Sequence, residues 1–230
     1  MNLKRKLNYF SKTEIFLWSA SVSMIIISFC IFDKENFITL SASLIGVTSL
    51  IFAAKGNPVA QVLMILFSLL YGIISYNFSY YGEMITYLGM TMPMAVISLV
   101  SWIKNPYKGN KSEVKIEQLS KKEIVFMCCL TTVVTTIFYF ILSFFNTANL
   151  LPSTASVTTS FAAVYLTFRR SPYFALAYAA NDIILIILWI MASLQDISYL
   201  SVTVCFIAFL FNDIYGFINW KIMERKQLQG

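Results

Sequence analysis

Histidine is absent from this chain of 230 residues, which removes the commonest metal ligand and the commonest proton shuttle near neutral pH. The four cysteines, Cys30, Cys128, Cys129 and Cys205, show no CxxC spacing. They read as small buried side chains rather than as a zinc site or a disulfide framework. Charged residues are few, at 12%. No Ser–Lys constellation, metal-ligand spacing or phosphate-binding glycine loop is present, so the chain does not read as an enzyme and no cofactor is expected.

What the chain has in abundance is apolar length. Hydrophobic residues make up 58%, with 20 phenylalanines and 13 tyrosines. The mean hydropathy is +0.72. A soluble domain of this size cannot hide so much apolar surface. The opening MNLKRKLNYFSK is followed by a long apolar run without a small-residue cleavage site, the pattern of a retained membrane helix. Runs of about 17–25 residues are needed to span a bilayer. Eight are found, over 14–32, 37–54, 58–78, 83–103, 123–145, 149–168, 172–194 and 198–220.

The charges test that count. Eight spans put both termini on one side. That side then receives the N-terminal Lys4, Arg5, Lys6 and Lys12, Lys55, the lysines of 104–122, Arg169, Arg170 and the tail residues Lys221, Arg225 and Lys226. Lys34 alone falls on the other side. This is the positive-inside distribution, with both termini cytoplasmic. It turns the net charge of +6 into a set of topology anchors and argues against a nucleic-acid partner. The polar loop 104–122 reads as a solvated connector.

Two segments repeat. SASLIGVTSLIFAAKGNP (41–58) and ASVTTSFAAVYLTFRRSP (155–172) both end in a basic turn and a proline, 114 positions apart; ISLVSWIK and YGFINWKI align their tryptophans, 118 positions apart. The predicted fold is therefore an all-α integral membrane protein. An N-terminal segment with its helix (1–36) precedes a three-helix repeat (37–103), and a loop with a linker helix (104–148) leads to a second three-helix repeat (149–220) and a tail (221–230). The linker restores the orientation of the second repeat, so the two are parallel, a design of transporters with substrate between the halves.

Polar residues at depth mark the candidate site. Asp182 lies ten residues past Pro172, ~15 Å into a ~30 Å core, and Asp213 lies ~12 Å from the edge marked by Lys221. Each follows an asparagine, Asn181 or Asn212. An ionised Asp there costs on the order of 3 kcal/mol, and no Lys or Arg sits at that depth. The carboxyls are thus protonated, hydrogen-bonded, in a wet cavity, or facing a bound cation; interhelical glue is the plainer alternative. Tyr178, Asp182 and Trp189 share one helical face; Asn212, Tyr215, Gly216 and Asn219 share another, with Asp213, Phe217 and Trp220 on the adjacent stripe. Such aromatic and polar faces suit a flat heterocycle, a cationic one above all. Gln61 lines the inner mouth or caps a helix start. Trp102 and Trp220 read as plain interfacial anchors, whereas Trp189 is open to either role.

The motifs LYG (70–72), YYGEM (80–84), PM (93–94), SWIKNP (101–106) and NDIYGFINW (212–220), in that order, resemble the Pnu vitamin transporters, whose type members are the PnuC nicotinamide riboside transporters. The resemblance covers roughly 37–222. It implies a SWEET-like fold and facilitated diffusion of a dephosphorylated vitamin that a cytoplasmic kinase then traps. The family's Trp-x-x-x-Asn aligns with Tyr178-x-x-x-Asp182, and its Gln after Pro-Met with Ala95. Nicotinamide riboside is the substrate expected, its pyridinium matched by Asp182 and Asp213 with Tyr178 or Trp189 against the ring. Asn181, Asn212 and Asn219 are then expected to bond amide or ribose. A deoxyribonucleoside or thiamine carrier and a proton-coupled symporter are the alternatives. The setting implied is a bacterial inner membrane, with the lipid bilayer as partner. The sequence permits a homo-oligomer without specifying one.

Overall fold

Long apolar stretches with few breakers become helices, and the computed structural model has eight among its described residues, 9–77, 80–147 and 149–229. They are α1 (Lys12–Ser28), α2 (Phe37–Ala54), α3 (Val59–Asn77), α4 (Tyr81–Lys104), α5 (Lys121–Phe144), α6 (Leu150–Phe168), α7 (Tyr173–Ser193) and α8 (Leu200–Gln229). Seven are long and apolar enough to cross a membrane. The eighth, α6, is diluted by Ser and Thr. Thr154, Thr158 and Thr167 donate back to carbonyls one turn earlier, at 2.8, 3.0 and 2.8 Å, so these hydroxyls reach the interior already paired.

Two helices depart from regular geometry. α1 runs on into a π-helical segment, Phe29–Asp33. α4 contains another, Tyr87–Thr91, in which the Met92 N–H donates to the Tyr87 carbonyl. Pro93 follows at once. It has no N–H for the Gly89 carbonyl, and its ring crowds a regular turn, so the helix widens there.

Helices α2–α4 and α6–α8 form the core, with α1 packed on α2 and α8, and α5 on α6. The outer side of α5 presents Val125, Phe126, Val133, Phe140 and Phe144 to the surroundings, as a helix seated against one neighbour in lipid does.

The stretch after α4 is not a solvated connector. It folds as a hairpin, β1 (Pro106–Tyr107) against β2 (Asn110–Val114). Lys108 and Gly109 both take positive φ, 46° and 78°, as a tight hairpin turn demands. Val114 is wholly buried. The tail beyond 220 continues α8 as helix, and its Gln227 amide donates to Glu113 Oε1 (3.0 Å) and the Val114 carbonyl (3.1 Å) and accepts from the Ile116 N–H (2.8 Å). Near the other terminus, the Tyr9 hydroxyl donates to the Ser112 carbonyl (3.2 Å). Both ends of the described chain therefore meet the hairpin at one end of the bundle, which also holds Lys55, Arg169 and Arg170. Lys4, Arg5 and Lys6 lie outside the described residues.

At this basic end two helix termini are tied in matching ways. α2 ends with Gly56 at φ 64°, and α6 with Arg170 at φ 55°. The Trp220 indole donates to the Ala53 carbonyl (2.7 Å), and the Trp102 indole to the Thr167 carbonyl (2.9 Å). Beside them Asn219 Nδ2 donates to the Ala54 carbonyl (2.7 Å) and Ser101 Oγ to the Phe168 carbonyl (3.0 Å). The left-handed residues also match: the Gly56 carbonyl accepts from the Val114 N–H (2.9 Å), the Arg170 carbonyl from the Glu117 N–H (3.2 Å). Arg170 tolerates its conformation because its side chain pairs with Glu117 and donates to the Lys115 carbonyl at 3.0 Å. Trp102 and Trp220 are 1% and 0% exposed and touch each other, ring centres 5.5 Å apart. They are buried closures of helix ends, which corrects their reading as interfacial anchors.

The cysteine reading is corrected as well. Cys30, Cys128 and Cys129 face outward, and only Cys205 is buried; all four are free.

Candidate functional site

The polar residues of α7 and α8 meet at the centre of the bundle. A small cavity of about 20 Å³ is lined by Gly46 and Leu50 of α2, Met64 and Phe67 of α3, Tyr87 and Thr91 of α4, and Ser160 of α6. Tyr178, Asn181 and Asp182 of α7 and Phe206, Phe209 and Asp213 of α8 complete it. All six core helices contribute, and α1 and α5 do not. Gly46 permits the crossing of α2 and α8: a Cβ there would lie 2.3 Å from Phe209 Cζ and 3.0 Å from the Phe67 ring. The volume holds about one water, whereas sites for organic ligands run to about 300–1,000 Å³. The cavity is thus closed down, and its aromatic walls must part for a ligand.

Asp182 and Asp213 are 3% and 4% exposed and hydrogen-bond to each other. A bond between two carboxyl groups needs at least one proton between them, so the pair carries at most a single negative charge. Asp182 Oδ2 has no partner. Among the described residues, no cationic side chain lines the cavity. Asn181 is fixed from α6, its Oδ1 accepting from Thr159 Oγ1 (2.9 Å) and Ser160 Oγ (3.1 Å).

The remaining candidates lie elsewhere. Asn212 points to α1, donating to Ser21 Oγ (2.9 Å) and to the Ala208 carbonyl (2.8 Å). The Tyr215 hydroxyl donates to Glu14 Oε1 (3.1 Å), which also faces Lys55 at 3.3 Å. Asn219 ties down the end of α2, as described. Trp189 is fully buried towards the other end of the bundle, its indole donating to the Tyr71 hydroxyl (2.6 Å). Gln61 is buried in the first turn of α3, outside the cavity lining. Four of the nine candidates, Tyr178, Asn181, Asp182 and Asp213, therefore share the cavity. The sequence reading missed Tyr87, Thr91 and Ser160. Pro93 is the local signal for Tyr87 and Thr91, because a proline there widens the preceding turn and wide turns collect at functional sites; Ser160, on α6, has no such signal.

A bundle of apolar helices closed around one polar, aromatic-walled cavity at mid-depth is the architecture of a membrane carrier for a small molecule. Comparison with known proteins agrees. The family model described as nicotinamide mononucleotide transporter matches residues 36–222, and the chain belongs to that family. The nicotinamide riboside transporter PnuC of Neisseria mucosa is 28% identical over 203 residues, which cover 85% of this chain and 76% of that protein. The crystal structure of a vitamin B3 transporter PnuC has the same fold, with a TM-score of 0.83 at 21% identity, covering 95% of this chain and 94% of the other. The protein is a transporter, not an enzyme.

Proposed function

We propose that this chain carries nicotinamide riboside into the cell by facilitated diffusion. The observation that carries the reading is the Asp182–Asp213 pair, two buried carboxyls among aromatic rings with no cationic side chain lining the cavity among the described residues. A permanently charged pyridinium supplies the cation, and Tyr178, Tyr87, Phe67 and Phe209 offer faces against its ring. Support for the substrate also comes from the name of the Neisseria mucosa relative.

In this reading all eight helices span the bilayer of a bacterial inner membrane, with the basic end and both termini in the cytoplasm. Residues 37–103 and 149–220 are two parallel three-helix repeats, with 1–36 and 104–148 as an added helix and a linker. The matched ties of Trp102 and Trp220 support that pairing. A cytoplasmic kinase that phosphorylates the riboside prevents its return.

The family is described for the mononucleotide, and this gives the test. A phosphate dianion meets two carboxyls, hydroxyls and the neutral Asn181 amide in this cavity, with no cationic side chain among the described residues that line it. Calorimetry on the purified protein is expected to show saturable binding of the riboside, with the mononucleotide at least a hundredfold weaker. Proteoliposomes without an ion gradient are expected to take up the riboside. Comparable affinities for the two ligands would refute the assignment.

A further inference from the structure

Glu83 is the most anomalous group in the molecule. It is fully buried, and the Ser156 hydroxyl of α6 is the most its carboxyl has as a hydrogen-bond partner among the described residues. Ser156 lies alongside and is a single neutral donor, too little to satisfy both oxygens of a carboxylate. The other titratable groups that face Glu83 are the phenols of Tyr71 on α3 and of Tyr80 and Tyr87 flanking it in sequence. No lysine or arginine faces it among the described residues. Gly82 allows this burial: a Cβ there would stand 2.7 Å from Thr147 Cγ2 and 3.0 Å from Leu142 Cδ2, so only glycine lets α4 start against the end of α5. A buried carboxyl so poorly paired costs several kcal/mol in an apolar setting, and a membrane protein retains one for use.

Its place relative to the cavity suggests the use. Phe67, Tyr71 and Tyr87 form a packed layer, with centroids 5.5 Å apart for Phe67–Tyr71, 4.4 Å for Tyr71–Tyr87 and 5.9 Å for Phe67–Tyr87. Phe67 and Tyr87 line the central cavity, while Tyr71 and Tyr87 face Glu83. One layer of rings therefore separates the Glu83 carboxyl from the chamber of Asp182 and Asp213. Tyr87 is the first residue of the π segment, and Gly89 within that segment has open space, its nearest neighbour being 4.0 Å from a built Cβ. The segment is the irregular part of α4, set between Glu83 and Pro93.

We propose that Glu83 is a substrate-contacting residue. Tyr87 turns aside on the π segment, the central cavity opens towards Glu83, and the cationic ring is held between Glu83 on one side and the Asp182–Asp213 pair on the other. Displacing the Tyr87 ring also enlarges a cavity that, at about 20 Å³, is too small for a nucleoside. The inference rests on the reading of the ligand as a cationic riboside, and deepens it by naming a third acidic contact.

The test compares nicotinamide riboside with its reduced form, which has the same skeleton and a neutral dihydropyridine ring. Dissociation constants are measured for full-length wild type, Glu83→Gln and Glu83→Asp, with thermal unfolding of each. Glu83→Gln is expected to weaken the cationic form at least tenfold and the neutral form less than twofold. Glu83→Asp is expected to restore most of the loss, and if Gln prevents folding, Asp carries the test by losing more of the cation than of the neutral form. Equal loss of both ligands, or none, overturns the role of Glu83 while leaving the central site standing. Failure of wild type to bind the cationic riboside overturns both readings at once.

Discussion

At the basic end, both indole N–H groups, the Asn219 amide and the Ser101 hydroxyl each find a backbone carbonyl within 3.0 Å. Deeper in the same bundle, Ser68, Ser75, Thr91 and one oxygen of Asp182 find none, and Glu83 has only the Ser156 hydroxyl. The two regions share helices and differ in what their polar groups are for. The last carbonyls of a helix have no partner within it, so α2 and α6 need outside donors wherever they end away from water. The central groups close no helix end. Buried polar atoms are nearly always paired in folded proteins, so a cluster of unpaired ones marks a place completed by something the chain does not supply. The paired end holds the fold, and the unpaired middle awaits a ligand.

The strongest way to break this comparison is at the paired end. Trp220→Ala and Trp102→Ala each remove a fully buried indole and leave a carbonyl without its donor. A loss of about 3–5 kcal/mol is expected from each, enough to abolish folded protein in detergent. Because the two rings touch, the double variant is expected to cost less than the sum. Thermal unfolding and size-exclusion profiles measure this. Normal stability of either variant would show that the matched ties do not hold the basic end.

The second prediction concerns the middle, where stability and affinity should separate. Depth along the sequence leaves Asp182 and Asp213 free to be protonated, hydrogen-bonded or facing a cation, and with both ionised each would contribute a full negative charge. The hydrogen bond between them narrows this, since the pair must hold at least one proton and, facing a cation, is expected to hold one. Asp182→Asn therefore leaves the net charge at minus one, and its amide can still donate to Asp213. Each single Asn variant is expected to weaken the cationic riboside by less than about 1 kcal/mol. The Asp182→Asn/Asp213→Asn double variant should lose about 1–3 kcal/mol, the scale of a charge-assisted hydrogen bond, with thermal stability kept. Calorimetry on the three variants decides it. A single substitution as costly as the double would mean that both carboxylates ionise around the ligand.

The contrast between neighbours shows what sequence can reveal. The helices were legible because apolar length is a property of a window: α2 was placed at 37–54 and is Phe37–Ala54. The depth of Asp182 and Asp213 was legible because rise per residue is fixed. Direction was not. Asn212 and Asp213 are adjacent, yet one residue turns the side chain about 100°, which sends Asn212 to Ser21 on α1 and Asp213 to the cavity. The helix pattern alone does not say which neighbour lies on which side. Glu83 was passed over because the apolar run was begun at 83, where a charge at a span edge costs little. In the structure α4 begins at Tyr81, and Gly82 seats that end inside the protein. The hairpin was missed for want of weight on Lys108–Gly109, a turn signal in an otherwise polar stretch. The tryptophans misled because Trp is as much at home at a membrane interface as in a core, and only their carbonyl partners distinguish the two.

The smallest effect is expected at Gly216, and it tests whether packing at the paired end is as tight as its hydrogen bonds imply. Gly216 is buried on α8, one turn before Trp220, facing α2 and α7. A Cβ there would stand 3.7 Å from that of Ala175 and 3.9 Å from that of Ala54, ordinary van der Waals contact. Nothing needs to move, and the residue sits in a helix interior where alanine is favoured over glycine by up to about 1 kcal/mol. Gly216→Ala is therefore expected to leave riboside binding unchanged and to raise the unfolding temperature slightly. Gly46→Ala offers the contrast, because there the added carbon falls 2.3 Å from Phe209 and must push a cavity wall. If Gly216→Ala instead destabilises the protein or blocks uptake with binding intact, the three helices must close further at this point during transport than the structure has them. The glycine would then be serving movement of the basic end, not its resting closure.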